Sequence, residues 1–266
     1  MINGKIKLVL KYLNYLFFAK HRGGHGIHSP FIYDFVTNVL FSSQYVNKNP
    51  IIKSYKQTLS KNSQTLLIED KGAGSIGLVS KARRIKDIAA TSSTKTKYGN
   101  LLGRIVAYYK PENIIELGTS LGIGTCFLAT KMLENSKLYT IEADKNLYSI
   151  AKQFFKLQNW KNISSICGTF DQELPELVSK IDSIDLVYFD GNHRKIPTIK
   201  YFEICLEKIN NQSIFIFDDI HWSSEMEEAW ELIKLHPKTR VCIDLFQIGI
   251  VFFRKELSCE NYVIKF

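Results

Sequence analysis

No apolar run in this chain is long enough to cross a bilayer. The apolar stretch nearest the start, residues 6–19, is interrupted by Lys7, Lys11 and Asn14. Its apolar positions Ile6, Val9, Leu10, Leu13 and Phe17 fall near helical spacing, so it is read as an amphipathic helix packed on the domain or on a partner chain. That allows a homodimer and argues against stable membrane insertion. Cysteine is scarce as well. Cys126, Cys167, Cys205, Cys242 and Cys259 are scattered without a C-x-x-C pair, an odd number in apolar surroundings. A disulfide framework and a zinc site are thereby excluded, and reduced core thiols in a cytoplasmic protein are expected. Basic blocks are missing too. The net charge is +9 and the pI about 9.1, yet the lysines are spread along the chain and no block of basic residues with interleaved aromatics stands out. A generally basic surface follows, with nucleic acid retained only as an alternative partner. There is no internal repeat and no low-complexity tract.

What is present describes an ordinary globular chain. The 266 residues are 45% hydrophobic and 23% charged, enough for one full α/β domain and an appended segment. Residues 1 to about 50 are rich in aromatics and histidine. Within them His21, Gly23, Gly24, His25, Gly26 and His28 form a flexible turn before Ser29-Pro30, which can start a helix over 31–41. The glycines prevent a rigid face of histidines, so a polar loop closing over the active site is expected there rather than a metal site. Residues 51 to about 100 are polar and lysine-rich. They hold a second glycine cluster, Asp70-Lys71-Gly72-Ala73-Gly74-Ser75, which lacks the Gly-Lys-Ser/Thr of a phosphate loop and is read as a turn.

From residue 100 onward strands are expected at 113–116, 137–142, 163–167, 186–190, 213–217, 241–245 and 249–254, with helical patterns between the earlier ones. Alternating βα units imply a parallel sheet covered on both faces. The last two strands are joined by only Phe246-Gln247-Ile248, too short for a parallel crossover, so they form a hairpin.

The first of these strands runs Asn113-Ile114-Ile115-Glu116-Leu117 into Gly118-Thr119-Ser120-Leu121-Gly122-Ile123-Gly124-Thr125, and a helical pattern over 126–133 follows. Strand, glycine turn and helix N-terminus make a nucleoside-binding corner. Its spacing is E-x-G-x-x-x-G-x-G, not the G-x-G-x-x-G that cradles a diphosphate. The carboxylate before the first glycine would repel a phosphate but accept hydrogen bonds from an ammonium group. An amino-acid-bearing nucleoside therefore suits the corner better than a dinucleotide, and an NAD-linked oxidoreductase is disfavoured.

This motif resembles the first motif of class I S-adenosylmethionine-dependent methyltransferases, and within them the catechol-type O-methyltransferases. The resemblance covers roughly residues 95 to 254, with its motifs in order. It implies an α/β, Rossmann-like, seven-stranded methyltransferase sheet with an antiparallel final strand, plus a helical N-terminal cap. Residues 1–94 would be the cap on the acceptor side, and 95–266 the S-adenosylmethionine-binding domain. It also implies cofactor contacts from Glu116, Gly118, Ser120 and Gly122, and from the segment holding Thr96 and Gly99.

Glu142 ends the second strand, 20 positions after Gly122, where a carboxylate can accept both ribose hydroxyls. Asp144 is the better candidate to cap the following helix over 146–157. After the third strand, Gly168 and Thr169 stand at the turn that contacts adenine in the resembled family. Asp190 and His193 lie beyond strand four, and Asp218, Asp219, His221 and Trp222 beyond strand five. Ligands of open α/β sheets sit above such ends. Three converging carboxylates raise one another's pKa unless a cation neutralises them, and hard oxygen donors suit Mg²⁺ or a similar divalent ion.

The resemblance assigns the metal to Asp190, Asp218 and Asp219, with Asp219 where the family has Asn. It puts His193 where the family has a basic lysine, and histidine can take a hydroxyl proton near neutral pH. Asp190 would share in catalysis and in cofactor contact. Trp222 matches a family tryptophan in the same loop. The expected activity is O-methylation of a small hydroxylated or aromatic acceptor, with His193 and Asp190 catalytic. A nucleic-acid methyltransferase and a non-catalytic ligand-binding module are the alternatives.

Overall fold

Stretches that are apolar at consecutive positions, such as Ile114-Ile115 and Leu186-Val187, must be buried on both faces of a sheet. The computed structural model describes residues 2–20, 22–42, 49–68, 82–91 and 94–266; His21 and the glycine cluster 70–75 lie outside the described residues. The chain opens with α1 (Ile2–Phe18) and α2 (Pro30–Asp34), the latter capped by Ser29 with Pro30 in its first turn. A π-helical stretch, Phe35–Leu40, continues from α2. Next come α3 (Pro50–Lys61), a short antiparallel pair β1 (Thr65–Leu67) and β2 (Ala82–Arg84), and α4 (Ile85–Thr91).

Regular alternation then begins with α5 (Thr96–Tyr109), β3 (Asn113–Leu117) and α6 (Ile123–Ala129). It continues with β4 (Lys137–Glu142), α7 (Lys145–Leu157), β5 (Ile163–Cys167) and α8 (Phe170–Lys180). The second half is β6 (Ile184–Phe189), α9 (Lys195–Leu206), β7 (Ile209–Asp218) and α10 (Ser224–Leu235). Strands β8 (Val241–Asp244), β9 (Ile248–Phe252) and β10 (Glu260–Val263) close the chain.

The main sheet has eight strands in the order β10-β8-β9-β7-β6-β3-β4-β5. All neighbours run parallel except β9, which is antiparallel to both β7 and β8. All seven expected strands are present and the expected hairpin is β8–β9. The eighth, β10, adds itself in parallel to β8 at the edge. It was not legible because a four-residue edge strand, Glu-Asn-Tyr-Val, buries only Tyr262 and so carries no two-sided apolar run.

Successive residues of the strands serve opposite faces. Ile114, Leu186, Tyr188 and Ile216 join one core, and Ile115, Val187, Phe189 and Phe217 the other. Helices α8, α9 and α10 cover the second face through residues such as Leu174, Phe202 and Trp230. The first face is covered by α5 and, less expectedly, by α2 and its π-helical extension: Ile32, Phe35, Val36, Val39 and Leu40 are at most 1% exposed. The helix expected over 31–41 thus forms but widens midway, and buried Arg104 meets its end. Arg104 Nε donates to the Val39 carbonyl at 2.6 Å and Nη2 to that of Leu40 at 3.0 Å. A helix C-terminus leaves carbonyls unpaired, and a guanidinium there satisfies them and matches the helix dipole. A smaller third core joins α3 and α4 to α6 and α7.

Candidate active site

Chain order reverses between β3 and β6: the path runs outward through β4 and β5, then returns to the other side of β3. A crevice opens at such a switch point, above the carboxyl ends of the strands. Gly118 leaves β3 at φ 108°, and a Cβ there would lie 2.1 Å from the Asp190 carbonyl oxygen. No other residue fits where the two strand ends meet. The Asp190 amide in turn donates to the Leu117 carbonyl at 2.9 Å. Gly122, at φ 78°, is the N-cap of α6, and a Cβ on it would lie 2.7 Å from the Phe155 ring. Helix α6 accordingly starts at Ile123, before the expected 126.

Glu116 is fully buried on β3. Its Oε2 accepts from Thr125 Oγ1 at 2.5 Å and Thr140 Oγ1 at 2.7 Å. Burial raises its pKa to about 7, against those two hydrogen bonds, which lower it. Oε1 has no hydrogen-bond partner. A Cβ on Gly124 would lie 2.8 Å from this oxygen and 3.0 Å from Thr94 Oγ1. Thr94 and Gly124, with residues 118–121 and Asp190, line a small cavity at the strand ends. An unpaired buried carboxylate oxygen beside such a cavity is a place for a hydrogen-bond donor from a ligand.

Glu142 ends β4 beside the corner. Its Oε2 accepts from the Ser120 amide and its Oε1 from the Asp144 amide, both at 2.8 Å. Burial raises its pKa, against those main-chain hydrogen bonds. It thereby holds Ser120 in a left-handed conformation, φ 47°. Capping of α7 falls to Asp144, as expected, with Oδ1 accepting from Asn146 and Leu147 amides at 2.9 Å. Gly168 follows β5 and donates to the Glu142 carbonyl, and Thr169 is the N-cap of α8 with its hydroxyl turned to Gln172. Thr96 receives the Lys56 ammonium at 3.2 Å. Gly99 is a packing position, where a Cβ would lie 2.4 Å from the Phe127 ring.

The second group stands at the ends of β6 and β7. Asp190 and Asp218 lie within hydrogen-bonding reach of each other, an arrangement that favours a proton on one of them. Burial first and the Asp219 charge second raise Asp190 to about 8. Burial and then the charges of Asp190 and Asp219 push Asp218 up as well. Asp219, at φ 56°, also titrates high from burial, offset by His193 and Lys95. His193 Nε2 lies 3.8 Å from Asp190 Oδ1, and burial lowers its pKa, keeping the imidazole neutral. Beneath them the Tyr188 hydroxyl is fully buried beside Asp190 and Thr94. Among the described residues, no group of three or more His, Cys, Asp or Glu is arranged to hold a metal ion. As they stand, Asp190 and Asp218 face each other rather than a common cation. His25 and His28 are both exposed.

Two further residues complete the group that sequence reading did not single out. Lys95 Nζ donates to Gln247 Oε1 at 3.3 Å, and Gln247 Nε2 reaches toward Asp218 Oδ1 at 3.5 Å. The only sequence signal was the position of Lys95 just before α5. His221, expected near the acceptor, has both ring nitrogens engaged: Nε2 with Asp244 Oδ2 at 2.8 Å and Nδ1 with Glu227 Oε1 at 3.1 Å. Burial disfavours its charge, but the two carboxylates outweigh burial and raise its pKa. It is a cationic tie between β8 and α10. Trp222 closes the turn through its amide, bonded to the Asp219 carbonyl at 2.9 Å.

Sheet order and corner can be set beside known proteins. A family model described as a methyltransferase domain matches residues 115–220, the stretch from β3 to just past β7. Among solved structures, an O-methyltransferase from Bacillus cereus in complex with SAH (S-adenosylhomocysteine) superposes with a TM-score of 0.58 at 17% identity, covering 84% of this chain and 97% of that one. An SAH-bound methyltransferase of Podospora anserina gives a TM-score of 0.61 at 10% identity, covering 78% and 89%. This is the class I methyltransferase fold. Catechol O-methyltransferase of Sus scrofa is 28% identical over 115 residues, 41% of this chain and 61% of that protein. That of Niastella koreensis is 25% identical over 130 residues, 48% and 58%. The chain thus spans about three-fifths of the length of these two curated relatives. In the methyltransferase fold as built here, the corner after β3 and the acids after β6 and β7 share one sheet edge.

Proposed function

We propose that this chain is an S-adenosylmethionine-dependent methyltransferase acting on an oxygen of a small hydroxylated or aromatic acceptor. The observation that carries the reading is the meeting of Gly118 with Asp190. It joins the small cavity beside the orphaned Glu116 oxygen to a half-buried imidazole, His193, whose charged form burial disfavours. The catechol O-methyltransferases it resembles support the acceptor class.

When bound, S-adenosylmethionine supplies an electrophilic methyl group on a sulfonium. The residues present fit it. Glu116 Oε1, orphaned and buried, would take the ammonium of the methionyl end, with Asp190, Gly118 and the Ser120 turn around it. Glu142 would receive the ribose hydroxyls on the lone pairs its two amide partners leave free. Gly168 and Thr169, with Gly122 behind the turn, would frame the base. His193 takes the proton from the acceptor hydroxyl, and Asp190 steadies the imidazolium that results. Positioning supplies much of the remaining rate.

A divalent ion such as Mg²⁺ is a finer part of the proposal. Asp190, Asp218 and Asp219 would hold it with hard oxygen donors, and any proton held by the cluster would be released in doing so. The acids disfavour a polyanionic acceptor such as nucleic acid at this edge.

The test is turnover. The chain, incubated with S-adenosylmethionine and a catechol, should yield methylated product and S-adenosylhomocysteine, and His193→Ala should yield them far more slowly. Cofactor binding with no turnover on any hydroxylated acceptor would favour a non-catalytic binding module instead.

A further inference from the structure

Among the described residues, helix α1 is clamped along one side and exposed along the other. On the inner side the Tyr15 hydroxyl donates to the Ile264 carbonyl at 2.5 Å, and Lys11 pairs with Glu227 at 2.7 Å. The Tyr12 and Tyr15 rings lie 4.9 and 5.3 Å from that of Phe246. Just beyond the helix, the Lys20 amide donates to the Val263 carbonyl. The helix is therefore fixed and cannot roll its outer side onto the domain.

That outer side carries Ile6, Val9, Leu10, Leu13 and Phe17, spaced along one face of a helix and between 52% and 81% exposed. Of the sixteen exposed large hydrophobic residues among those described, seven fall on α1. Single exposed apolar residues are normal, but a fixed contiguous stripe marks a docking surface.

Charge indicates what docks. Helix α1 contains Lys5, Lys7 and Lys11 and no acidic residue, and an exposed Lys20 follows it. Of the glutamates of the adjoining α10, Glu227, Glu228 and Glu231 are paired with Lys11, Lys195 and Lys234, and Glu225 accepts from the Lys195 amide. Phe17 and Phe18 stack edge to face at the helix end, the kind of aromatic anchor that sits at a lipid headgroup. A second copy fits less well, since apposed α1 faces would bring together two acid-free, lysine-bearing helices on chains of net charge +9. Among the described residues no helix is long and apolar enough to cross a membrane.

We propose that the outer face of α1 docks flat on an anionic lipid surface, its apolar stripe in the headgroup–acyl boundary and the exposed Lys20 that follows the helix on the headgroups. This interaction does not rest on the methyltransferase reading.

The experiment is co-sedimentation of the full chain with phosphatidylcholine vesicles and with vesicles of phosphatidylcholine and phosphatidylserine. Binding is expected to the mixed vesicles, to fall by roughly tenfold or more at high salt, and to be lost in Leu10→Ser/Leu13→Ser/Phe17→Ser. Lys5→Glu/Lys7→Glu should weaken it without touching the apolar stripe. Circular dichroism and S-adenosylhomocysteine affinity, measured on the same variants, separate loss of docking from loss of fold or of cofactor site. Absence of binding by the unsubstituted chain would overturn the proposal. So would a dimer, seen by light scattering, that the triple substitution converts to monomer without any vesicle binding in the parent.

Discussion

Two buried acidic groups lie side by side at the carboxyl edge of the sheet, and they are neutralised differently. At the β3–β4 corner each carboxylate is held by groups of the fold itself: Glu116 by the hydroxyls of Thr125 and Thr140, Glu142 by the amides of Ser120 and Asp144. At the ends of β6 and β7 the carboxylates have mainly each other. Asp190 and Asp218 raise one another's affinity for a proton, while Asp219 leans on His193 and Lys95. The corner is prebuilt, and its one orphaned oxygen marks where a ligand is wanted. The cluster is a proton-holding or cation-holding device whose state changes with what enters it. A cofactor site and an acceptor site differ in that way, because one must recognise and the other must react.

The largest effect expected separates recognition from reaction. His193→Ala should lower turnover by roughly 10²–10⁴-fold while leaving S-adenosylhomocysteine binding intact. A variant that loses both equally would mean that His193 belongs to the corner, and the division between the two groups would fail. Next comes the joint between them. Gly118→Ala would drive a methyl group into the Asp190 carbonyl at 2.1 Å, and equilibrium unfolding should register a loss of about 3 kcal/mol or more. An alanine tolerated within about 0.5 kcal/mol would show that the two strand ends are not locked together.

A pH measurement sharpens the corner itself. Glu116, raised to about 7 by burial, keeps in the folded chain a proton that the unfolded chain has released above about 4.5. Stability should therefore fall as pH rises from 4.5 to 7, by about 3 kcal/mol in total, and stay low beyond. Glu116→Gln removes the penalty, so its melting temperature should exceed that of the parent at pH 8 and match it near pH 4. The same difference at both pH values would contradict a buried, protonated Glu116. The smallest effect tests the tie between corner and ribose edge. Glu142→Gln, which converts one accepting oxygen to a donor facing an amide, should cost about 1 kcal/mol of stability and roughly tenfold in S-adenosylhomocysteine affinity.

The sequence announced the sheet well, because its central strands, such as Ile114-Ile115 and Leu186-Val187, carry two-sided apolar runs and the three-residue link after Leu245 allows only a hairpin. Glycine spacing located the corner, since Gly118 and Gly122 answer to local backbone demands that any reader of the chain can infer. What stayed hidden depends on distant partners. Arg104 gave no sign that it would cap a π-helical stretch more than sixty residues earlier, and Tyr15 none that it would hold the C-terminal strand region. His221 looked like an acceptor-side group because it follows Asp218 and Asp219; only the fold brings Asp244 and Glu227 to its two nitrogens. The partnership of Lys95 and Gln247 spans two ends of the α/β core, and no local pattern encodes it.

The most direct test of the central claim is isothermal titration of the chain with S-adenosylhomocysteine, with and without Mg²⁺. The account predicts saturable one-to-one binding, weakened by Glu142→Gln and retained by His193→Ala. If Mg²⁺ joins Asp190, Asp218 and Asp219, its binding should release protons from the cluster, seen as a heat that varies with buffer ionisation enthalpy. No binding of S-adenosylhomocysteine under either condition would contradict the account.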